Sequence, residues 1–196
     1  LSLTGAQSKF GSESVNLPSG SSGNAYLKVT DSSVVELGTE DYTIEGWFRP
    51  TSVAGYTLFT FEDSGAGSAA IGVATNSSGA LQLFNDWAAG ADLVTSGASL
   101  TVNQWHHIAV VRDTAADLVR LFMNGTEVLT ISDPANDHSS IQLSIGTWTV
   151  NSDRDFIGQI DEFRVTHGVA RYTDDFTAPT EAFPDIPHDI AFFETL

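Results

Sequence analysis

The chain has 196 residues, 41% of them hydrophobic, enough for one large β domain with a real core. Its 25 Asp and Glu against 8 Lys and Arg give a net charge of −17, which disfavours nucleic-acid binding and anionic membrane surfaces. There is no cysteine, so disulfides, thiolate metal sites and Cys nucleophiles are excluded, and no stretch is apolar enough to span a bilayer.

In chain order, residues 1–10 lack the basic start and apolar run of a signal peptide. Leu1 opens the chain and Met123 is its sole methionine, so a processed chain or an excerpt of a longer protein is expected. Leu17 to Asn24 (LPSGSSGN) reads as a loop of turn formers. Strands are predicted at Ala25 to Thr30, Tyr42 to Arg49 (stopped by Pro50) and Tyr56 to Phe61. A Gly/Ser/Ala loop follows from Asp63 to Ala69. Ala70 to Thr75 and Ala80 to Asn85 pair around Asn76 to Gly79. A loop from Asp86 to Ala98 leads into a strand from Trp105 to Arg112. Leu118 to Met123 and Thr126 to Ile131 flank Asn124-Gly125, a dipeptide suited to the positive φ of a type I′ turn. Strands at Ile141 to Gly146 and Ile157 to Val165 complete the set. Many short strands and no 3.6-residue period predict an all-β, antiparallel β-sandwich.

One stretch breaks the two-residue period. Ile160 and Phe163 point to opposite faces of a regular strand. Either both faces are covered there, or a bulge at Asp161-Glu162 puts both in the core.

Four segments in order carry a resemblance. YTIEGWFRP (Tyr42 to Pro50), NQWHHIAVVRD (Asn103 to Asp113), LFMNGTEV (Leu121 to Val128) and GQIDEFRV (Gly158 to Val165) together resemble the concanavalin A-like lectin/glucanase superfamily, in its laminin-G-like branch. The resemblance covers roughly residues 10 to 170 and implies a jelly roll over residues 1–184, with 185–196 as a C-terminal extension or linker. GVARYTDDFTAPTEAFP (Gly168 to Pro184) and KFGSES (Lys9 to Ser14) resemble laminin-G-like domains of tailed-bacteriophage structural and tail-fibre proteins. That implies a virion setting, or an extracellular or cell-surface one if the source is not viral, with other virion subunits or a homo-oligomer as partners.

Catalysis finds little support. Retaining glycosidases need two carboxylates about 5–5.5 Å apart, and the Glu-x-Asp-x-Glu strand pattern of the hydrolytic relatives is missing. The five histidines are scattered, and His106 and His107 diverge on a strand. His107 matches the family's strand histidine and is expected to pack and hydrogen-bond. The resemblance implies a structural calcium tied to Asp161, with partner oxygens from Asp41, Glu40 and Glu13. The alternative is that Asp161 and Glu162 pair with Arg164, Arg49 or backbone amides.

Sugar binding is the sharper expectation, since lectin sites join an aromatic platform to amides and carboxylates. Two loops offer both: Asn85, Asp86 and Trp87, and Trp148, Asn151, Asp153 and Arg154. The expected function is therefore non-catalytic recognition of a glycan or cell-surface polysaccharide. The alternative is a structural virion subunit, which buried Trp87 and Trp148 would favour. Ile190, Phe192 and Phe193 are costly to leave in water, so the C-terminal extension docks on this domain, on a neighbour, or leads into a further domain.

Overall fold

The computed structural model describes residues 1–18, 25–29, 31, 35–53, 55–62, 69–85, 93–133, 137–139, 142–149, 154–184 and 190–191. Two antiparallel sheets face each other across one core. The first contains β1 (Ser2–Thr4), β2 (Ser14–Leu17), β4 (Tyr42–Pro50), β9 (His106–Asp113), β10 (Leu118–Met123), β11 (Thr126–Ser132) and β13 (Gly158–His167), in the order β1-β2-β13-β4-β9-β10-β11. The second contains β3 (Leu27–Val29), β5 (Thr57–Glu62), β6 (Ala69–Thr75), β7 (Ala80–Asn85), β8 (Leu93–Ser99) and β12 (Gln142–Ile145), in the order β3-β12-β5-β6-β7-β8. This is the predicted all-β sandwich of jelly-roll type.

Alternation sorts the side chains. Tyr42, Ile44 and Phe48 of β4 and Ile108 and Val110 of β9 enter the core, as do Phe59, Phe61, Val73, Leu83 and Leu143 from the second sheet. Their neighbours Thr43, Glu45, Trp47, His107, Ala109 and Val111 therefore face outward from the first sheet. These outward residues are also buried. Two segments cover them. Near the N-terminus, Lys9 sets its Nζ 3.8 Å from the Trp47 ring centroid, and Phe10 meets that ring edge-on at 5.9 Å. From Gly168 onward the chain crosses the sheet as a strap. Tyr172 and Phe176 stack at 3.6 Å, and Phe176 meets Phe122 at 5.3 Å and His107 at 5.8 Å.

The break in period at Asp161-Glu162 is a bulge. Asp161 pairs with Trp47 and Arg164 with Glu45, so two residues of β13 oppose Gly46 alone. Glu162 takes a φ of 51°, and Ile160 and Phe163 both join the core. Phe163 fits because Gly46 has no side chain: a Cβ there would lie 3.1 Å from Phe163 Cδ2. Beyond β2, the free edge of β13 is taken by β14 (Ile190–Ala191), whose residues pair with Val165 and Arg164. The extension thus docks on this domain through these two residues.

Candidate functional site

Two polar clusters lie outside the core, one on each sheet. On the first, Glu45 is fully buried beneath the strap. Its Oε1 accepts from Arg164 Nη2 at 2.6 Å and Nε at 3.2 Å. Its Oε2 accepts from the Tyr172 hydroxyl at 2.9 Å and lies 3.1 Å from His107 Nε2. Burial pushes the Glu45 carboxyl up, but the His107 hydrogen bond and the Arg164 charge outweigh it and hold the group below its ordinary value. Burial, and then the Glu45 charge, raise the Tyr172 phenol far above its usual range. The expectation that His107 packs and hydrogen-bonds is met here.

The second cluster lies on the outer face of the second sheet. Ser144, Thr60, Gly72 and Phe84 form one cross-strand row over β12, β5, β6 and β7. Gly72 keeps the row open: a Cβ there would lie 2.8 Å from Phe59 O and 3.2 Å from Phe84 Cδ2. Residues 146–149 fold back over this row as a flap, and residues 154–156 lie beside the start of β5. The neck of the flap is closed by the Phe156 N–H donating to Gly146 O at 2.7 Å, and the Thr57 N–H donates to Arg154 O at 2.7 Å. Outward along β5, Thr60 Oγ1 lies 3.3 Å from Thr147 O. Trp148 lays its ring against Phe84, 5.5 Å between centroids, and is only 4% exposed.

Glu62 pins the flap. One carboxylate oxygen accepts from Thr60 Oγ1 at 2.7 Å and from the Thr149 N–H at 3.0 Å. The other accepts from Gln142 Nε2 at 2.8 Å and from the Thr149 hydroxyl. The four lone-pair directions of an ionised carboxylate are thereby used. Beside it, the fully buried Ser144 Oγ has no partner among the described residues.

The residues nominated from sequence fall as follows. Trp148 is in the flap, and Arg154 is at its neck, half-buried. Asn85 turns inward between the sheets, where its Nδ2 donates to Asp133 Oδ1 at 3.3 Å. Asp133 in turn pairs with Arg112 Nε at 2.8 Å. Asp86, Trp87, Asn151 and Asp153 lie outside the described residues. Trp148 touches Phe84, the residue one before Asn85.

The four carboxylates nominated for calcium do not form a set. Asp161 accepts backbone N–H bonds from Lys9 at 2.7 Å, Phe10 at 3.2 Å and Glu162 at 3.0 Å. Burial, outweighing those bonds, leaves its carboxyl above the ordinary value. Asp41 accepts from the Thr114 N–H and hydroxyl at 2.8 and 2.6 Å, and Glu40 and Glu13 are exposed. Among the described residues no three His, Asp or Glu gather as a metal-binding group. Asp161 follows the amide alternative, and Glu162 accepts from the Phe183 N–H at 2.6 Å.

Sequence reasoning passed over Glu45 and Glu62. Each had a signal: a carboxylate at an outward position of a strand otherwise rich in apolar and aromatic residues, YTIEGWFRP and TLFTFE.

A family described as the concanavalin A-like lectin/glucanases superfamily (Laminin_G_3) matches residues 21–171. No curated protein matches the chain in sequence. Solved structures share its fold at low identity. The CBM40 of the Ruminococcus gnavus IT-sialidase, bound to α2,3-sialyllactose, is similar at a TM-score of 0.64 and 15% identity, over 82% of this chain and 91% of that one. Domain 4 of the Geobacillus stearothermophilus arabinanase AbnA, in complex with arabinotriose, has a TM-score of 0.58 and 20% identity, over 84% and 74%. A heptameric SAP-like pentraxin from Limulus polyphemus has a TM-score of 0.56 and 14% identity, over 76% and 73%.

Proposed function

The chain belongs to the concanavalin A-like lectin/glucanases superfamily, and from that premise we propose that it is a non-catalytic carbohydrate-binding domain. The observation that carries this reading is the Trp148–Phe84 contact. It sets Trp148, whose neighbours in sequence suit sugar recognition, against Phe84, which stands two residues before Asp86 and three before Trp87. Registers agree: Glu62 opposes Gln142 and Ala69, Asn85 opposes Ile71, and Leu93 opposes Phe84, so the loops after Glu62 and Asn85 leave from one end of the second sheet. Similar folds hold sialyllactose and arabinotriose, which supports a glycan as partner.

Two features support the absence of catalysis. The buried carboxylates Glu45 and Glu62 sit on opposite outer faces of the sandwich, so they do not form the facing pair that glycoside hydrolysis requires. Both are saturated by protein donors. Binding at such a rim is shallow, and multivalent display supplies strength. A virion or cell-surface carrier is proposed on the resemblance of Gly168 to Pro184 and Lys9 to Ser14.

The test is a glycan array probed with the domain displayed multivalently, with calcium and then with EDTA. Binding that Trp87→Ala removes from a folded protein supports the reading, and loss in EDTA adds a cation. Silence across plant, algal and bacterial glycans overturns it. The second reading, a subunit that binds other virion proteins, is favoured by the burial of Trp148 at 4% exposure.

A further inference from the structure

We propose that the last cross-strand row on the outer face of the first sheet is a second saccharide site, and that it holds an acidic sugar, a uronic or sialic acid, by its carboxylate. This inference takes its ligand class from the carbohydrate reading above but uses no residue of the second sheet. Register sets the row. Asn16 opposes Gln159, and Gln159 opposes Arg49. Their neighbours Val15, Leu17, Phe48 and Ile160 enter the core, so these three side chains face outward. Phe48 opposes His106, which sets Trp105 opposite Arg49 one step further along. The Asn103 N–H, donating to Pro50 O at 2.7 Å, keeps the chain against β4 there. From Asn16 to Trp105 the row crosses three strand spacings, about 14 Å.

The coverings of this face stop short of the row. The strap lies over Glu45 and His107, and Lys9 and Phe10 lie over Trp47. Asn16, Arg49 and Trp105 stay half-buried. Among the described residues Trp105 makes no ring contact and no side-chain hydrogen bond, so its indole is left as a platform for the apolar face of a sugar. The hydrogen bonds along the row run one way. A guanidinium only donates, so Arg49 Nη1 fixes Gln159 with its Oε1 toward β4, at 2.8 Å. Gln159 Nε2 then donates to Asn16 Oδ1 at 2.8 Å. Asn16 Nδ2 and the rest of the Arg49 fork are left as donors.

Arg49 also stands apart from the other arginines of this sheet and its strap. Arg112 pairs with Asp133, Arg120 with Asp113 and Glu127, and Arg164 with Glu45, while Arg171 lies 3.9 Å from Glu45. Arg49 has no acidic partner among the described residues, in a chain with 25 acidic side chains against 8 Lys and Arg. A guanidinium held in line by amides, with its charge unpaired, is the complement of a carboxylate and its two oxygens. The net charge of −17 opposes an anion at long range, but at about 0.1 M salt that field is screened beyond about 10 Å. Close by, Lys9 adds a second positive charge over Trp47, two residues along β4 from Arg49. The carboxylate of the adjoining row, Asp161 opposite Trp47, is taken up by three backbone N–H donors.

The experiment uses the whole chain, displayed multivalently on beads at about 50 mM NaCl, where screening is weak. Its probes are trigalacturonic acid and 3′-sialyllactose, each against a neutral counterpart: the methyl ester of the first, and lactose for the second. The expected result is binding to at least one acidic probe, at least tenfold stronger than to its counterpart. Arg49→Gln keeps an N–H donor for Gln159 but removes the charge, and should lower that binding at least tenfold. Arg49→Lys keeps the charge without the fork and should recover only part of it. Lys28→Ala removes the same unit of charge from the second sheet and should change it less than twofold. Thermal melts establish that each variant is folded. A change in tryptophan emission on adding the acidic probe, lost in Trp105→Phe, reads the site without any Arg49 variant. Acidic binding that Arg49→Gln leaves within twofold overturns the site, as does an emission change that persists in Trp105→Phe. Preference for the neutral probes overturns this inference and leaves the carbohydrate reading standing. No binding to any probe also overturns it, and the glycan array then decides the carbohydrate reading separately.

Discussion

The Tyr172 hydroxyl and the Glu45 carboxylate meet across the outer face of the first sheet, 2.9 Å apart, and so tie the terminal strap to strand β4. The same carboxylate holds Arg164 and His107, both nearly or fully buried. Removing it breaks this buried ion pair, so Glu45→Ala is expected to cost roughly 3–5 kcal/mol. The strap's attachment should also depend on pH. The folded-state pKa of Glu45 is lowered, so its stabilisation is fully present above the unfolded value of about 4.3 and is lost as pH falls through the lower folded one. Urea midpoints of the wild type and Glu45→Gln, compared from neutral pH downward, should differ constantly and then converge in acid. A gap that is unchanged in acid removes this account.

Gly125 makes the strap's landing place. It has a φ of 84°, and a Cβ there would lie 2.0 Å from Phe176 O. The Phe176 N–H donates to its carbonyl at 2.8 Å. Gly125→Ala should therefore cost about 1–2 kcal/mol from backbone strain alone, with further loss from displacing Phe176. Thermal melts give the total, and near-ultraviolet circular dichroism of the Tyr172–Phe176 stack reads the displacement. An unchanged aromatic spectrum contradicts it.

Glu62 holds the flap, so Glu62→Ala should free it. The substitution removes four accepted hydrogen bonds, with a net cost of about 1–3 kcal/mol. Trp148 then gains water, and its emission should shift to longer wavelength. The same substitution in a Trp148→Phe background should give no such shift, which separates flap opening from general loosening.

Removal of residues 185–196 exposes the β13 edge at Arg164 and Val165, the partners of β14. Amide exchange at that edge is expected to quicken in the truncated chain. If neither exchange nor melting temperature changes, the pairing carries no stability.

Most of the fold was legible because its signals are local. Asn124-Gly125 fixed the β10–β11 hairpin, and the broken period from Ile160 to Phe163 announced the bulge that the +51° φ of Glu162 supplies. The strands hardest to read were β1, β2 and β8. SLT and SVNL are short and half polar, and LVTSGAS carries a glycine and small polar residues that read as loop. The site was harder, because it is made by non-local pairing. Nothing near Glu62 in sequence announces Gln142 and Thr149, which lie 80 and 87 residues away. Trp148 sits in a polar stretch and reads as a rim aromatic, yet the flap folds it onto Phe84.

Asn85 separates the two kinds of residue most cleanly. Composition groups it with Asp86 and Trp87 as a sugar-binding amide. Alternation along β7 instead sends Asn85 inward with Leu81 and Leu83, and it is only 2% exposed. There it donates to Asp133, the counter-charge of Arg112. Asp133 also lies 3.7 Å from His138, which Tyr42 meets at 2.9 Å. Asn85→Ala strips one donor from this buried carboxylate and should lower stability by about 1–3 kcal/mol. Glycan affinity per folded molecule should stay within twofold of wild type, because the amide faces the core and not the rim. Denaturant melts and bead binding on the same preparation read both quantities. Affinity lost with stability intact would return Asn85 to the ligand's side and overturn the inward assignment.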